Sequence, residues 1–476
     1  MLRIYDTRTR QVEEIAAGRA LRMYTCGPTV YRHAHVGNLR TYLLSDLIRR
    51  VLERRRVRVV ACQNITDVGH LIEDPSGEAA LGDVASGEAA SRQAVSHEGE
   101  DKVLAQARAE GRSPLELARF YESSFRSDTA ALNLRPPEHT PRASESIDLM
   151  VELIAKLIEK GHAYAVPDGS VFFDARTFPT YGEISGNRLD ALKPAHRIDA
   201  VDPRKRFHAD WALWKPSSEG ELTWDTPWGR GFPGWHVECS AMSLRFLGSS
   251  FELHIGGIDL RFPHHEDERA QSDSAAGHEV VRHWVHGEHL LFDGRKMAKS
   301  TGNVVLLSDV VAAGLDPLAV RMAFLEHRYR QQLNLTWDTL KAADRTVRRW
   351  RTRVAEWSES ISAPMATAYA ERVESAFDDD LDTPAALRIL RELERDESVA
   401  PGAKFETFLH LDQVLGLDLS ADIGKARVLP AGAGELLEAR ARARDAKDWE
   451  AADRLRDELA EMGVRVSDTS EGQTWA

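Results

Sequence analysis

The sequence has little cysteine, no long apolar run and no excess of positive charge, and each shortage excludes a class of protein. Three cysteines, Cys26, Cys62 and Cys239, are too few and too scattered for a disulfide framework. No stretch of about 18 apolar residues occurs, so the sequence predicts no membrane span. The polar start, MLRIYDTRTRQ, lacks an apolar signal core, which favours a cytoplasmic protein. A formal net charge of −13 argues against indiscriminate nucleic-acid binding.

The remaining composition is that of an ordinary globular protein. Hydrophobic residues make up 42% and charged residues 29% of the 476 positions. This length is enough for about three domains with one large core. In a reducing compartment, metal binding or catalysis is a better use for the cysteines than cross-linking. One segment, RTVRRWRTR at 345–353, offers a local basic surface on a predicted helix.

Residues 20–70 alternate between strand and helix signals. ALRMYTC is a short apolar run, LRTYLLSDLIRRVLERR has helical periodicity, and VRVVACQNIT is rich in β-branched residues. A strand, a helix and a second strand in this order form a βαβ unit. The sequence therefore predicts a parallel sheet and an α/β fold.

The middle of the chain mixes loops, helices and short strands. The small, polar composition of 71–100 favours a flexible loop. Helical periodicity returns at 101–133 and 144–160. The pieces SVFFDA and ADWALWK, set among Gly, Pro and Asp, predict a small insertion with its own β-structure.

The last third of the chain is predicted to be mostly helical. LFDGRKMAKSTGN, residues 291–303, has the composition of a loop, and residues 336–420 favour amphipathic helices. LLEARARARDAKDWEAADRLRDELAEMG predicts one long charged helix that ends at Gly463. VRVSDTSEGQTW then predicts two short strands around a Ser-Glu-Gly turn.

The stretch FPHHEDERAQSD, residues 262–273, predicts a short helix. On that helix His264 and Glu268 lie on one face, one turn apart. The pattern is open to three interpretations: a solvated helix start, a metalloprotease helix, or half of a metal site. A metalloprotease needs His-Glu-x-x-His, and the register here is His-His-Glu-x-Glu, which excludes it. These residues alone leave the other two interpretations open.

Two more segments have the composition of a nucleotide site. His35-Val36-Gly37-Asn38 stands where a phosphate could meet the positive end of the first helix, although a plain helix cap has the same pattern. Lys296 and Lys299 lie on a glycine-flanked loop and could stabilise charge on departing pyrophosphate, although a solvated loop is the alternative. The two segments in this order are far more specific than either alone.

With these motifs the chain resembles the cysteinyl-tRNA synthetases, a class I aminoacyl-tRNA synthetase family, along nearly its whole length. The matching stretches, in the family's order, are CGPTVY with HVGN, NITDV, GWHVECSAMS, HIGGIDLRFPHHEDERAQS, KMAKSTGN, YRQQLN, AKDWEAADRLRDEL and GQTW. The resemblance implies a Rossmann-type parallel-sheet catalytic domain with an insertion, then a helical bundle and a small C-terminal α/β anticodon-binding domain.

This plan implies six segments. They are the first part of the catalytic domain at 1–145, the connective insertion at 146–229, the second part of the catalytic domain at 230–280, the lysine-loop and stem-contact region at 281–335, the helical bundle at 336–430 and the anticodon-binding domain at 431–476.

The resemblance also implies one zinc ion per subunit. Its ligands would be Cys26, Cys239, His264 and Glu268, two from near the ends of different strands and two from one helix face. Two thiolates, an imidazole and a carboxylate are a plausible Zn²⁺ set. Cys62 has no place in this pattern and is expected in the core of its strand.

The remaining site residues are carried over from the family's motifs. Thr29 and Thr66 would line the amino-acid pocket, with Trp235 as its wall, although tryptophans mostly serve in packing. The residues expected to receive the adenosine and phosphates of ATP are Gly37, Gly256, Gly257, Asp259 and Lys299, and those expected to act in catalysis are His35, Asn38, Lys296 and Lys299. A carboxylate such as that of Asp259 can take ribose hydroxyls.

The sequence departs from the family in two places. Ala298 stands where the lysine loop usually has serine, so we expect slower or less ordered loop closure with the chemistry retained. Many members continue TDV directly into Asp-Asp-Lys, whereas here TDVGHLIEDPSGEAA intervenes and Asp101-Lys102 comes only later.

The activity that the resemblance implies is ATP-dependent ligation of L-cysteine to tRNA(Cys) through cysteinyl-adenylate, with Mg²⁺ accompanying ATP, by a monomer. Trp475 could stack on an anticodon base or pack under the last helix.

One alternative function is that of the family's cysteine:amino-sugar ligase of mycothiol synthesis, which resembles a synthetase without the C-terminal domain that this chain has. Another is a catalytically silent zinc- or RNA-binding relative, against which the intact motif residues argue. Four protein ligands leave no obvious place for the activated water of a zinc hydrolase.

Overall fold

The computed structural model of the chain describes residues 1–16, 18–68, 102–192, 202–217, 222–297, 303–425, 429–430, 432–462, 464, 466–469 and 472–475. Several predicted features lie outside these residues. They are the polar stretch at 71–100, Ala298 and Lys299 of the lysine loop, Gly463, and residues 470–471 of the predicted terminal turn.

The strands, in chain order, are β1 (Arg3–Asp6), β2 (Gln11–Glu14), β3 (Ala20–Thr25), β4 (Arg58–Gln63), β5 (Ala163–Ala165), β6 (Val171–Phe173), β7 (Trp211–Pro216), β8 (Gly231–Pro233), β9 (Phe251–Gly257), β10 (Val281–Gly287), β11 (Leu290–Phe292), β12 (Arg295–Lys296), β13 (Leu333–Leu335), β14 (Val466–Thr469) and β15 (Gly472–Trp475).

The helices are α1 (Val36–Arg54), α2 (Lys102–Glu110), α3 (Pro114–Ala131), α4 (Ile147–Glu159), α5 (Trp235–Leu247), α6 (His264–Ala276), α7 (Leu307–Ala312), α8 (Leu318–Leu325), α9 (Trp337–Ser358), α10 (Thr367–Asp378), α11 (Thr383–Arg395), α12 (Pro401–Leu415), α13 (Ala433–Asp445) and α14 (Trp449–Glu461). Within the described parts of the chain, none of these helices has the length and apolarity needed to cross a bilayer.

A four-stranded parallel sheet carries the candidate site. Its strand order is β10-β9-β3-β4, and every pairing in it is parallel. Helix α1 connects β3 to β4, as the predicted βαβ unit requires, and its apolar side chains at Leu39, Leu43 and Leu47 are buried. The predicted α/β fold is confirmed. Strand β10 belongs to this sheet, so the sheet continues past the predicted segment boundary at residue 280.

Hydrophobic clusters cover both faces of the parallel sheet. Because side chains alternate along a strand, Met23 of β3 lies in one cluster with α1 and the bundle, while its neighbour Tyr24 lies in the other with α4 and α5. Cys62 is buried in the second cluster, as expected of a core residue.

The insertion between α4 and α5 forms an antiparallel sheet of its own. Strands β5, β6, β7 and β8 pair in sequence order, and the two strand-like pieces predicted there become β6 and β7. Phe172 and Trp214 of these strands are fully buried. Phe173 and Trp214 belong to the same hydrophobic cluster as Tyr24 and Cys26, so this sheet packs against one face of the parallel sheet.

The prediction of a loop at 291–303 is wrong for its first half. Strands β11 and β12 pair antiparallel, with Leu291 opposite Lys296, and β11 also pairs with β13. Asp293 and Gly294 form the turn with φ of 49° and 75°. The Asp-Gly pair is a strong hairpin signal in the sequence, which the prediction of a plain loop did not include.

Helices α9 to α12 form the predicted bundle, with Trp350 and Phe408 in its core. The segment 345–353, predicted to offer a local basic surface, lies in α9. Four of its five arginines form ion pairs within the chain: Arg348 with Asp344, Arg349 with Glu394, Arg351 with Asp316, and Arg353 with Glu356. Arg348 and Arg353 nevertheless remain 53% exposed, so these pairs reduce the basic charge of this surface without burying it.

The prediction of one long helix in the tail is also wrong. The segment forms two helices, α13 and α14, separated by Lys447, which has φ of 58°. The carboxylate of Asp448 caps the second helix by accepting from the backbone N–H of Ala451 at 3.1 Å. Folding back lets Leu437 and Leu459 share a small core, which a single exposed helix could not provide. The two predicted strands that follow pair antiparallel as β14 and β15.

Candidate functional site

The four predicted zinc ligands lie together in the structure. Cys26 follows β3, Cys239 lies in α5, and His264 and Glu268 stand one turn apart on α6. One donor atom from each lies within 4.8 Å of the other three, and all four residues are buried. Oε1 of Glu268 is 3.4 Å from Sγ of Cys26 and 3.0 Å from Nε2 of His264. Sulfur, nitrogen and oxygen donors thus converge on one point.

The expectation that two ligands lie near strand ends is wrong for Cys239. Cys26 directly follows the last residue of β3, as expected. Cys239 instead occupies the second turn of α5, which begins two residues after the end of β8 and packs against α6. Three of the four donors therefore come from two packed helices, which gives the cluster a rigid frame.

The chemistry of the cluster fits a divalent metal ion. Burial raises the pKa of Cys26 and of Glu268 well above their usual values, because their anions lose hydration. Nε2 of His264 and Oε2 of Glu268 are buried without a hydrogen-bond partner among the described residues. A bound cation would compensate these groups, and a donor set of two thiolates, an imidazole and a carboxylate suits Zn²⁺.

A second set of four donors overlaps the first and was not predicted. Here Cys26 and Glu268 are joined by His254 and His265, whose Nε2 atoms lie 3.4 and 3.3 Å from Sγ of Cys26. Burial lowers the pKa of both histidines well below its usual value, so both imidazoles are neutral. The set that contains Cys239 has two sulfurs and is the better match for zinc. Both histidines lie in the stretch HIGGIDLRFPHHEDERAQS, which carries the family resemblance, and this was the signal in the sequence that could have pointed to them.

Side chains from α5 and from the insertion orient His264. Its Nδ1 lies 2.8 Å from Nδ1 of His236, and Nε2 of His236 lies 3.4 Å from Oδ2 of Asp267. The Tyr181 hydroxyl donates to Oδ1 of Asp267 at 2.5 Å. The ring of Trp235 lies against His264, with centroids 4.2 Å apart. Such outer contacts fix a ligand's ring and tautomer, and here they leave Nε2 facing the other donors.

Thr29 and Thr66, the predicted pocket residues, lie side by side. They form a parallel β-bridge, and the N–H of Val30 donates to the carbonyl of Thr66 at 3.0 Å. The Thr66 hydroxyl donates to Oε2 of Glu238 at 2.9 Å, beside Cys239 on α5. Thr29 is three residues from Cys26 in sequence, and Thr66 reaches the cluster through Glu238, the neighbour of Cys239.

The HVGN segment begins helix α1. His35 is the N-cap: its Nδ1 accepts from the backbone N–H of Asn38 at 3.3 Å, and Oδ1 of Asn38 accepts from the N–H of His35 at 3.2 Å. Burial, aided by the charge of Arg32, lowers the pKa of His35 to about 4. The ring is therefore neutral near pH 7, and since Nδ1 accepts, the proton sits on Nε2. That N–H can donate to a phosphate at the positive end of the helix.

The two nucleotide motifs meet at Gly37. A β-carbon added at Gly37 would lie 2.7 Å from Cε of Met297, so glycine at this position gives the Met297 side chain room to pack directly on the helix start. The N–H of Val36 also donates to the carbonyl of Val305 at 2.9 Å. Lys296, next to Met297, is exposed. Lys299 lies outside the described residues.

The predicted adenosine-binding residues lie at the carboxyl end of β9. Gly256 and Gly257 are the last two residues of that strand, and Asp259 follows on an exposed short turn. A β-carbon on Gly257 would lie 2.3 Å from Oδ1 of Asp259, so glycine lets this carboxylate fold against the backbone. The crevice outside the carboxyl ends of parallel strands is the usual nucleotide site of α/β sheets.

Trp475 lies at the end of β15 and packs against the small core of the terminal unit, which includes Leu437 and Leu459. This contact corresponds to the packing alternative. Trp449 of the same unit is 56% exposed, and the guanidinium of Arg444 lies 5.5 Å from its ring centroid. Of these two aromatic side chains, Trp449 is the more open to a partner.

Two protein families match the sequence. The family described as "tRNA synthetases class I (C) catalytic domain" matches residues 12–79 and 96–345. The family described as "Cysteinyl-tRNA ligase anticodon binding domain" matches residues 426–475. The two matches follow each other in the order that the motifs predicted.

Curated relatives match over the full chain. A cysteine–tRNA ligase of Thermus thermophilus is 40% identical, over 99% of this chain and 98% of the relative. A cysteine–tRNA ligase of Treponema denticola is 35% identical, over 100% of this chain and 99% of the relative. Cysteine–tRNA ligase 1 of Burkholderia lata is 40% identical, over 99% of this chain and 96% of the relative.

Solved structures share the fold at low sequence identity. Methionyl-tRNA synthetase of Mycobacterium tuberculosis, bound by methionyl-adenylate, aligns with a TM-score of 0.54 and 16% identity, over 91% of this chain and 96% of that one. A LeuRS of Agrobacterium radiobacter K84 in a ternary complex with tRNA and LeuAMS aligns with a TM-score of 0.59 and 12% identity, over 85% of this chain and 84% of that one.

Proposed function

This chain belongs to the cysteine–tRNA ligase family of class I tRNA synthetases, and we propose that it joins L-cysteine to tRNA(Cys) with ATP through cysteinyl-adenylate. The observation that carries this proposal is the match to cysteine–tRNA ligases over 99% of the chain, tail included. The buried cluster of Cys26, Cys239, His264 and Glu268 supports the choice of amino acid.

The proposed reaction has two steps. The carboxylate of cysteine attacks the α-phosphorus of ATP and forms a new phosphorus–oxygen bond. The bond between the α-phosphorus and the oxygen that bridges to the β-phosphorus breaks, and pyrophosphate leaves. A hydroxyl of the terminal adenosine of tRNA then attacks the cysteinyl carbonyl, AMP leaves, and the proton of the hydroxyl is released. Mg²⁺ accompanies ATP as part of the substrate. In such reactions the protein contributes mainly positioning and charge stabilisation.

The nucleotide end of the site consists of donors around the start of α1. Nε2–H of His35 and the side-chain NH₂ of Asn38 donate to phosphate oxygens. Gly37, where Met297 packs on the start of α1, brings the lysine-loop segment against this end of the site. Lys296 and Lys299 neutralise the charge that develops on departing pyrophosphate. Asp259 takes the ribose hydroxyls beside the glycine pair that ends β9.

The amino-acid end of the site consists of the metal cluster and its walls. Cys26, Cys239, His264 and Glu268 would hold one zinc ion, which when bound would favour the thiolate form of a thiol and accept it more readily than a hydroxyl. Thr29 and Thr66, which pair beside Glu238, line the amino-acid pocket, and Trp235, whose ring lies against His264, forms its wall.

Aminoacylation with two acceptors tests the proposed function. Purified protein with cysteine and ATP should charge tRNA(Cys) and leave the amino-sugar acceptor of mycothiol synthesis unreacted. Cysteine-dependent exchange of pyrophosphate into ATP should accompany the charging. Transfer to the amino sugar alone would identify the other ligase, and absence of any exchange would identify a catalytically silent relative.

We place this activity in the cytoplasm and in a monomer. The motif residues for both substrates lie on one chain, which supports a monomer as the active unit. Sedimentation of the purified chain alone would measure the assembly state directly.

Deleting residues 431–476 should separate the two reaction steps. The terminal unit packs around a core of its own, with Ala433, Leu437, Leu459 and Val464. Its loss should therefore cripple tRNA charging and leave pyrophosphate exchange largely intact. Equal loss of charging and exchange in the deletion would mark the tail as a folding element.

The single variants Trp475→Ala and Trp449→Ala test which tryptophan stacks on an anticodon base. Loss of one base stack costs roughly 1 to 3 kcal/mol, so tRNA charging should fall in the variant that loses this stack.

A further inference from the structure

A second group of metal-ligand side chains lies outside the site described above. Asp6 ends β1, Glu13 lies in β2 and His283 lies in β10, the edge strand of the catalytic sheet. One donor atom from each lies within 4.8 Å of the other two. Nδ1 of His283 is 3.8 Å from Oδ2 of Asp6 and 3.4 Å from Oε2 of Glu13. Donors around a tetrahedral zinc ion, each bound at about 2.0 to 2.2 Å, are spaced by about 3.3 to 3.6 Å, which is close to these distances.

Two of the donor atoms in this group have no hydrogen-bond partner among the described residues. The side chain of Asp6 is 0% exposed, and its Oδ2 has no hydrogen-bond partner among the described residues. Nδ1 of His283 is buried and has none either. Oδ1 of Asp6 is already satisfied by the backbone N–H groups of Arg8 at 2.9 Å and Trp284 at 3.3 Å. The carboxylate is therefore anchored by one oxygen and presents the other to His283 and Glu13.

The surrounding charges do not satisfy this carboxylate. Burial raises the pKa of Asp6, although the nearby charge of Arg8 opposes this effect. The guanidinium of Arg8 forms its ion pair with Glu279 at 2.5 Å. Oε1 of Glu13 accepts from the Thr9 hydroxyl at 2.5 Å, which leaves Oε2 directed at His283. Buried charges in proteins are usually paired or bound to a metal.

We propose that Asp6, Glu13 and His283 form a second metal site, which takes a divalent transition metal such as Zn²⁺ or Mn²⁺. Two carboxylates and one imidazole suit these ions. Two of the ligands come from the N-terminal hairpin β1–β2 and one from β10, so the ion fastens this hairpin to the edge of the catalytic sheet. Three protein ligands leave room for water in the remaining position.

Metal content of the full chain tests this proposal. Wild type, Glu13→Gln and His283→Gln are dialysed against the same buffered Zn²⁺ and, separately, Mn²⁺, and bound metal is counted by mass spectrometry. In the dialysis against Zn²⁺, in that against Mn²⁺ or in both, each variant should bind one ion per chain fewer than the wild type. Glu14→Gln, at the neighbouring exposed position on β2, is the matched control and should keep the wild-type count.

Two further readings separate this site from the cysteine cluster. With Co²⁺, the sulfur-to-cobalt absorption of the cysteine cluster should stay unchanged in Glu13→Gln, because an oxygen and nitrogen site cannot produce it. Added Zn²⁺ or Mn²⁺ should raise the unfolding temperature less in Glu13→Gln than in Glu14→Gln. In the presence of a chelator, the two variants should unfold at the same temperature. Wild-type metal counts and wild-type stabilisation in both Glu13→Gln and His283→Gln would overturn the proposal and leave a buried ion pair.

Discussion

Replacing Cys239 with serine, or stripping the metal, should remove most of the preference for cysteine over serine. The two amino acids differ only by sulfur against oxygen, and a merely shaped pocket extracts little from so small a difference. A thiol with pKa near 8.5 is readily deprotonated on a metal, whereas a serine hydroxyl is not. We expect the preference to fall from roughly 10⁴-fold or more to about 10²-fold or less. Serine should remain poor while cysteine falls towards it.

Affinities for cysteine and serine, measured side by side by calorimetry, check this result. Binding of cysteine to the wild type should release about one proton, visible as a dependence on buffer, and this release should vanish with the metal. Cys62→Ser is the matched control, because Cys62 is also a buried cysteine but is not one of the four grouped metal-donor residues. A correctly folded, metal-free protein that still strongly preferred cysteine would assign the metal a purely structural role.

Replacing Lys299 with alanine should slow formation of cysteinyl-adenylate by about two to three powers of ten. Loss of one preorganised charge contact in the transition state commonly has this effect. The lysine-loop segment reaches the nucleotide end of the site through Met297, which packs on Gly37 at the start of α1. The metal cluster is built from other elements, so cysteine binding should be unchanged.

Pyrophosphate exchange and cysteine affinity, measured on the same preparations, separate these two effects. Lys425→Ala removes a lysine that is 67% exposed at the end of the bundle, and it should leave both quantities at their wild-type values. Ala298→Ser, which restores the family's usual residue, should exchange at least as fast as the wild type. Exchange near the wild-type rate in Lys299→Ala would show that the loop is misassigned.

Features set by local periodicity were predictable from the sequence. The βαβ unit follows from two apolar runs around a helix with apolar residues on one face, and the structure has it at β3, α1 and β4. The tail was mispredicted because both of its helices have the same charged periodicity and no Gly or Pro separates them. The break depends on Lys447 in a left-handed conformation and on the cap at Asp448, which are weak signals in a sequence.

The candidate metal site shows a similar limit. No spacing connects Cys26 with Cys239, because only the packing of α5 and α6 against the end of β3 brings the two sulfurs together. The resemblance to a family supplied that set, and helical spacing supplied only His264 and Glu268. His254 and His265 were missed because periodicity cannot tell which buried histidine faces a donor. Asp6, Glu13 and His283 were missed for the same reason, since they meet only across the edge of the folded sheet.

X-ray absorption at the zinc edge tests the central claim, that the metal of this cluster selects the substrate by its sulfur. Glu13→Gln protein, in which the proposed second site stays empty, is loaded with one zinc ion per chain and should show two sulfur ligands, from Cys26 and Cys239. Saturating cysteine should raise the number of sulfur ligands to three, and saturating serine should leave it at two. A count that stays at two with cysteine bound would contradict the account.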